Sequence, residues 1–371
     1  MKLLLRNGYI LLILLLTLSC EKAEERKNQM NVDMVKTRGQ TLLNIAPLES
    51  WKEGDVKTAI MDYVERITDP NSPDFIPKRD RIATFDNDGT LWSEKPLIQG
   101  MFVSYRIHDM VEENPKLRNV QPYKAVIEGD KKYLHALGEK GLIDLVLKTH
   151  SGMTEEAFEK DVHSFFQSAV HPVLKVPVNE LVYKPQLELL EYLREHGFKT
   201  YICSGGTVEF IREVGEELYG IPDEQVIGSK FKYKLIDDGI AKSTIERMPE
   251  LESFNDKQEK PVNIQYVIGQ RPVFACGNVG AGGDVYMLRF SQGSPYLSFQ
   301  LLVNHDDKDR EFAYQEEDSL SLRMAKQNDW HVVSMKEDWN RVFANETPYE
   351  EPIRSQPIHR EEEADRPKTG M

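Results

Sequence analysis

Short apolar runs, each feeding a glycine-bearing turn, punctuate the middle of the chain. Ile82-Ala83-Thr84-Phe85 leads into Asp86-Asn87-Asp88-Gly89-Thr90, and Phe198-Lys199-Thr200-Tyr201-Ile202-Cys203 leads into Ser204-Gly205-Gly206-Thr207. Val273-Phe274-Ala275-Cys276 leads into Gly277-Asn278 and a glycine loop that ends at Asp284. Runs of this length, bounded by turn residues, read as buried strands. Apolar residues at helical spacing lie between them: Trp51 to Ile67, Leu187 to Leu193, about Val208 to Leu218, and Val262 to Ile268. Gly197 suits the C-cap of the second. Pro261 fits the first turn of the fourth, which would put Lys260 at its N-cap. Strand, glycine turn and helix in alternation argue for an α/β fold, a parallel sheet with helices on both faces.

The stretch 97–184 breaks this rhythm. It has no convincing strand, and its apolar residues fall at helical spacing in Met101–Val111, Tyr133–Ala136, Leu142–Leu147 and Ala157–Phe166. An insert after the first strand sits over the end of the sheet where open α/β folds bind ligands, so it reads as a helical cap. The core is then expected in 42–96 and 185–343.

Both ends fall outside that scheme. Lys2 and Arg6 precede an apolar stretch from Tyr9 to Leu18, which closes in Thr17-Leu18-Ser19-Cys20. A positive start, an apolar run too short to span comfortably and a small residue before cysteine resemble a bacterial lipoprotein signal over 1–20, with Cys20 lipidated after cleavage. A plain signal peptide or an uncleaved anchor is the other reading. The polar segment 21–41 reads as a tether, and 344–371, rich in proline and charge, as a solvated tail. The expected location is the bacterial cell envelope, facing the periplasm or the exterior.

Charge narrows the partners. The formal net charge is −14, which argues against nucleic acid, whose phosphates need basic patches. It gives a phosphorylated ligand no general attraction either, so affinity must come from a local cation. The two cysteines of the core region, Cys203 and Cys276, each end a strand. With the Asp86 strand between theirs they stand two inter-strand spacings apart, about 10 Å, beyond disulfide reach.

The turns carry the chemistry. Asp86 and Asp88, crowded behind one strand, must share a proton or bind a cation. With a hard divalent metal, one can act as oxygen nucleophile while the other handles the proton. Ser204, before glycines and a helix start, suits a phosphoryl oxygen, although a capping serine is the plainer explanation. Lys260 could neutralise the nucleophile and a transferring phosphoryl group, with Lys230 and Lys257 as competitors. Asn278 and Asp284 offer oxygen ligands on a loop, and Asp284 could equally cap the helix beginning at Val285.

In order and spacing these four motifs resemble the haloacid dehalogenase superfamily. The extended run Phe85 to Glu94 looks like its phosphoserine-phosphatase-like branch, often labelled nonspecific acid phosphatases. So do Ile268-Gly269-Gln270-Arg271-Pro272, Val303-Asn304-His305-Asp306-Asp307 and Trp330 to Lys336. The resemblance covers about Ile82 to Phe343 and implies a Rossmann-like core, a cap inserted after the first motif, and Mg²⁺. By it Asp86 is the nucleophile that forms an aspartyl phosphate, and Asp88 the general acid and then base. Asp86, the backbone carbonyl of Asp88 and Asp284 would hold Mg²⁺, while Ser204, Gly205 and Lys260 would grip the phosphoryl oxygens.

The chain departs from the family in one loop, where two extra residues separate Asn278 from Asp284. Asn278 is therefore an alternative third ligand, although a carboxylate suits a hard cation better. Asp88 argues for a phosphatase over a dehalogenase, because an alkoxide needs a proton to leave and a halide does not. Trp92 and Glu94 would touch substrate or serve as hinge and packing. His305 and Asp306-Asp307 are expected to shape a turn and satisfy backbone groups near the sheet edge. The expectation is a Mg²⁺-dependent phosphomonoesterase of small esters, tethered to a membrane through lipid. The alternatives are an anhydride hydrolase acting on pyrophosphate or nucleotides, and an inactive ligand-binding lipoprotein.

Overall fold

Ile82–Phe85, strand β1, is buried at all four positions, as a central strand of a parallel sheet must be when helices cover both faces. The computed structural model describes residues 47–344 apart from 238, 241 and 281. The chain divides into Met1–Glu49 and Ser50–Met371, and the sheet and its helices belong to the second unit. The expected signal (1–20, with Cys20), the tether and all but the first residue of the expected tail lie outside the described residues.

Six further strands complete one sheet: β2 (Lys199–Thr207), β3 (Val226–Asp237), β4 (Ser243–Ser253), β5 (Phe274–Asn278), β6 (Phe299–Asn304) and β7 (His331–Ser334). Their order is β4-β3-β2-β1-β5-β6-β7, parallel except for the β3–β4 pair. Phe85 pairs with Ile202 on one side and Cys276 on the other, so Cys203 and Cys276 lie on strands flanking β1, buried and free. The loops after β1, β2 and β5 thus leave the same edge of the sheet side by side.

Helix α1 (Asp55–Thr68) starts later than its apolar pattern suggests. Gly54 precedes it, and Trp51 is instead buried edge-on against Trp339, with its indole N–H donating to Pro185 O at 2.9 Å. The inserted stretch forms α2 (Ile98–Glu113), α3 (Tyr123–Glu128), α4 (Lys131–His150) and α5 (Glu155–Ser168), with no strand. Two fragments of helical pattern, Tyr133–Ala136 and Leu142–Leu147, fall on the two helical segments of α4 that meet at Gly138, whose φ 60° and ψ −174° are not helical. Then follow α6 (Lys184–Glu195), α7 (Val208–Tyr219), α8 (Glu259–Val267), α9 (Asp284–Gln292), α10 (Leu320–Asn328) and the short α11 (Met335–Asp338).

The two faces of the sheet are filled differently. On one, Ile264 of α8, Val285 and Leu288 of α9, and Ala325 of α10 pack on Tyr201, Cys203, Ala275 and Leu302. On the other, Phe85, Phe274, Phe299 and His331 form a ladder across four strands, with ring centroids 5.7, 5.4 and 4.3 Å apart. Such cross-strand aromatic pairs add to plain burial and hold the register of neighbouring strands.

The β3–β4 hairpin is not among the expected strands. Its outer half is exposed: Phe231, Tyr233 and Leu235 alternate with Lys232 and Lys234 as in a half-buried strand, but Tyr233 and Leu235 are not covered. It matters because fully buried Arg247 of β4 ties the inserted helices to the sheet edge. The Arg247 Nε donates to His150 O at 2.6 Å, and Nη1 lies 3.0 and 3.1 Å from the two oxygens of Glu155. The guanidinium also covers the rings of Phe158 and Phe231, and the main chain of Arg247 pairs with Gly152 and Met153. Replacing it by methionine strands Glu155 and Glu209 without their cation. Breaking a buried ion pair in this way costs about 3–5 kcal/mol. Urea unfolding of Arg247→Met should show a loss of that size, and a loss below about 1 kcal/mol would contradict the role given to Arg247.

Candidate active site

The main chain carries its sheet pairing one residue beyond β1, where Asp86 N–H donates to Cys276 O at 2.9 Å. This sets the Asp86 side chain at the strand end, buried, between the ends of β2 and β5. Lys260 meets it there. Its Nζ donates to Asp86 Oδ1 and to Asp284 Oδ1, both at 2.6 Å. Lys260 is not the N-cap, as the Pro261 argument expects, but a residue of the first turn, because α8 already begins at Glu259. Lys257 takes φ 49°, and Asp256 Oδ1 accepts the Lys257 N–H, so the helix starts early and turns Lys260, Asn263 and Ile264 inward.

Asp284 returns to the end of β5 across the lengthened loop. Its Oδ2 accepts Asn278 N–H at 2.9 Å, leaving Oδ1 for Lys260. A methyl at Gly277 would stand 2.5 Å from Asp284 Cβ, so only glycine admits this approach. The Asn278 amide turns elsewhere, toward Tyr314 Oη at 3.4 Å and His305 Nε2 at 3.5 Å.

Asp88 is held by Trp92, whose indole N–H donates to Asp88 Oδ1 at 2.8 Å. Gly89 makes the turn between them with φ 76°, and its N–H donates to Trp92 O. Burial, opposed by the Trp92 hydrogen bond and reinforced by Glu94, pushes the Asp88 carboxyl up to about 6. Burial also raises Asp86, with Asp284 adding to it and Lys260 opposing it. For Lys260 burial works the other way, but Asp284 and Asp86 more than offset it and its pKa is raised. The ammonium is one positive charge among the carboxyl groups of Asp86, Asp88 and Asp284.

The remaining sequence candidates are placed less directly. Strand β2 continues through Ser204–Thr207 with a shifted pairing to β3, where the glycines suggest a turn. Sheet pairing to β3, taken up again at Thr207 and Ser229, carries the segment past its glycines. The Ser204 hydroxyl is buried and accepts Gly206 N–H at 3.0 Å, while Gly205, Gly206 and Thr207 line a cavity of about 330 Å³ that contains Asp86, Asp88, Lys260, Asn278 and Asp284. Lys230 and Lys257 do not line it. Lys257 stands beside Asp256 and Glu139, at 3.5 and 4.0 Å.

His305 satisfies a backbone group, as the sequence suggests, but the group belongs to the Asp86–Gly89 loop. It follows β6, an inner strand, and not the sheet edge, so its ring lies behind the Asp86–Gly89 loop with Nε2 2.8 Å from Gly89 O. Nδ1 is 3.3 Å from Glu311 Oε2, and Tyr314 stacks on the ring with centroids 4.2 Å apart. The signal was its position at the C-terminal end of an apolar strand, shared with Asp86, Ser204 and Asn278. Asp306 and Asp307 do shape turns, accepting from Lys336 and from Asp309 and Arg310. Gln99 of α2 was missed. Its amide exchanges two hydrogen bonds with Thr207, which joins the inserted helices to the start of α7.

Among the described residues, no three His, Cys, Asp or Glu side chains are gathered into a ready metal cage. A hard cation drawing on two carboxylates and a main-chain carbonyl needs no such cage, since Mg²⁺ keeps several waters. Asp86, Asp284 and the Asp88 carbonyl fit that donor set, with surplus negative charge to receive it.

A family model of haloacid dehalogenase-like hydrolases matches residues 83–255, which hold the first two motifs and the inserted helices. With this sheet and this cluster of carboxylates at its edge, residues 83–255 are those of a haloacid dehalogenase-like hydrolase domain. No curated protein matches the sequence. Among solved structures, a conserved functionally unknown protein from Anaerococcus prevotii DSM 20548 shares the fold, at TM-score 0.51 and 12% identity over 78% of this chain and 94% of that one. A phosphoserine phosphohydrolase-like protein from Francisella tularensis subsp. tularensis SCHU S4 gives TM-score 0.38 and 18% identity, over 68% and 94% of the two chains. A protein of unknown function from Bordetella pertussis Tohama I gives 0.43 and 15%, over 69% and 98%.

The turn at Gly89 supplies a test of this geometry. A methyl there would meet Asn278 Nδ2 at 2.0 Å, at a backbone angle that disfavours any side chain. Gly89→Ala should lower the free energy of unfolding by about 2 kcal/mol. An unchanged urea midpoint would mean that the loop does not adopt this path.

Proposed function

We propose that the chain is a Mg²⁺-dependent phosphomonoesterase that works through an aspartyl phosphate on Asp86. The observation that carries this reading is the second carboxyl, Asp88, held by Trp92 beside Asp86 in the same cavity. A hydrolase of this family that expels an alcohol needs an acid there.

Bound Mg²⁺, held by Asp86, Asp284 and the Asp88 carbonyl, would supply positive charge to the phosphoryl oxygens. The rest falls to side chains. Lys260 fixes Asp86 through Oδ1, leaving Oδ2 free to attack phosphorus. As the bond from phosphorus to the ester oxygen breaks, Asp88 gives its proton to that oxygen and the alcohol departs. Asp88, now a carboxylate, takes a proton from water as that water attacks the same phosphorus, which frees Asp86 and releases phosphate. The Lys260 ammonium and the Ser204–Gly205 segment receive phosphoryl oxygens during both steps.

The test is phosphate release by the chain lacking residues 1–20, with Mg²⁺ or EDTA, beside two variants. EDTA and Asp86→Asn should each abolish turnover of p-nitrophenyl phosphate. Asp88→Asn should slow an alkyl phosphate by about 10²–10⁴-fold and p-nitrophenyl phosphate far less, because nitrophenolate leaves without a proton. Equal losses on both esters would remove Asp88 as the acid. No turnover of any ester or anhydride would leave the inactive ligand-binding alternative.

The anchoring also belongs to this proposal and rests on the residues around Cys20. No described helix is long and apolar enough to cross a membrane. Full-length protein expressed in a bacterium should sediment with membranes and take up labelled palmitate, and Cys20→Ser should do neither. Labelling that persists in the variant would refute lipidation at Cys20.

A further inference from the structure

The cavity has two unlike ends. One holds Asp86, Asp88, Lys260 and Asp284, and the other is walled by Leu97, Leu142, Ile143, Val146, Leu251 and Phe254. This apolar wall comes from separate parts of the chain. Leu97 precedes α2, three residues lie on α4, and Leu251 and Phe254 lie on and just after β4. Leu97 and Leu142 are about half exposed, at 48% and 50%, so apolar surface is left for a ligand to cover.

Charge around the cavity points the same way. Its acidic lining is Asp86, Asp88, Glu94, Glu139, Asp256 and Asp284, against the single cation Lys260, which Asp86 and Asp284 already share. Lys257, near the rim, stands between Asp256 and Glu139, and Lys95 lies 3.2 Å from Glu94. A second phosphate or a carboxylate on the leaving group would find no free cation among the described lining residues and would meet like charge. An ammonium would have to give up its water against leucine, isoleucine and phenylalanine, and the carboxylates on the same segments as that wall, Glu139 and Asp256, already face Lys257.

We infer that the site is specific for phosphate monoesters of uncharged, apolar alcohols, with the wall formed by Ile143, Val146 and Phe254 as the leaving-group subsite. The inference rests on the phosphatase reading. It sets aside pyrophosphate and nucleotides, which carry extra anionic groups into the same space.

The experiment uses n-alkyl phosphates, whose leaving groups share one chemistry so that chain length reads contact with the wall alone. From ethyl to butyl to hexyl phosphate, kcat/KM should rise about three- to fourfold per methylene. Butyl phosphate should exceed 2-carboxyethyl and 3-aminopropyl phosphate, which are similar in length, by about tenfold or more. Ile143→Asn and Phe254→Ser should each flatten the rise with chain length. Turnover that is indifferent to chain length, or that favours the charged esters, would overturn the inference and leave the phosphomonoesterase reading intact, whereas a preference for pyrophosphate would overturn both. Ethyl-, butyl- and hexylphosphonate, titrated calorimetrically into the Mg²⁺-loaded protein, separate the two. If no ester is hydrolysed but phosphonate affinity climbs with chain length, the phosphatase reading fails and the ligand class stands. If affinity is flat as well, both fail.

Discussion

Two carboxylates from different parts of the chain, Asp86 behind β1 and Asp284 at the start of α9, are buried within hydrogen-bond reach of one ammonium. Without Lys260 they would repel each other in a place where water cannot screen them. The pair therefore fixes how α8, which carries the lysine, lies against the ends of β1 and β5. Gly277 permits the approach, and the Asn278 N–H completes it. Much of the local architecture serves to keep that arrangement closed and short of compensating charge.

The parts of the molecule legible in the sequence are those where backbone and burial demand the same residues. Ile82–Phe85 must be apolar on both faces, and the turn after it must contain a residue able to take the positive φ found at Gly89. Such double constraints leave a clear mark, and the order of the motifs along the chain did the rest. Lys260 could be chosen over Lys257 and Lys230 only by that order. What selects it in space is the early start of α8, which depends on the turn at Asp256-Lys257 and cannot be seen in the apolar pattern.

Other features were illegible for physical reasons. In the β3–β4 hairpin Tyr233 and Leu235 alternate with lysines as if one face were buried, yet both are exposed, so the pattern there does not report the core. His305 and Glu311 act through a long-range contact with Gly89, and nothing local in Asn304-His305-Asp306 distinguishes a residue behind a loop from one in a surface turn.

Trp92 joins two of these regions. Its indole N–H holds Asp88, and its ring stacks on Phe166 of α5, with centroids 5.9 Å apart and planes at 28°. The same side chain thus touches both Asp88 and the inserted helices. The position of the Asp88 carboxyl is tied to the packing of α5, a helix that contributes no residue to the cavity lining. Under the proposed reaction, the packing at Phe166 would then bear on where the Asp88 proton is presented.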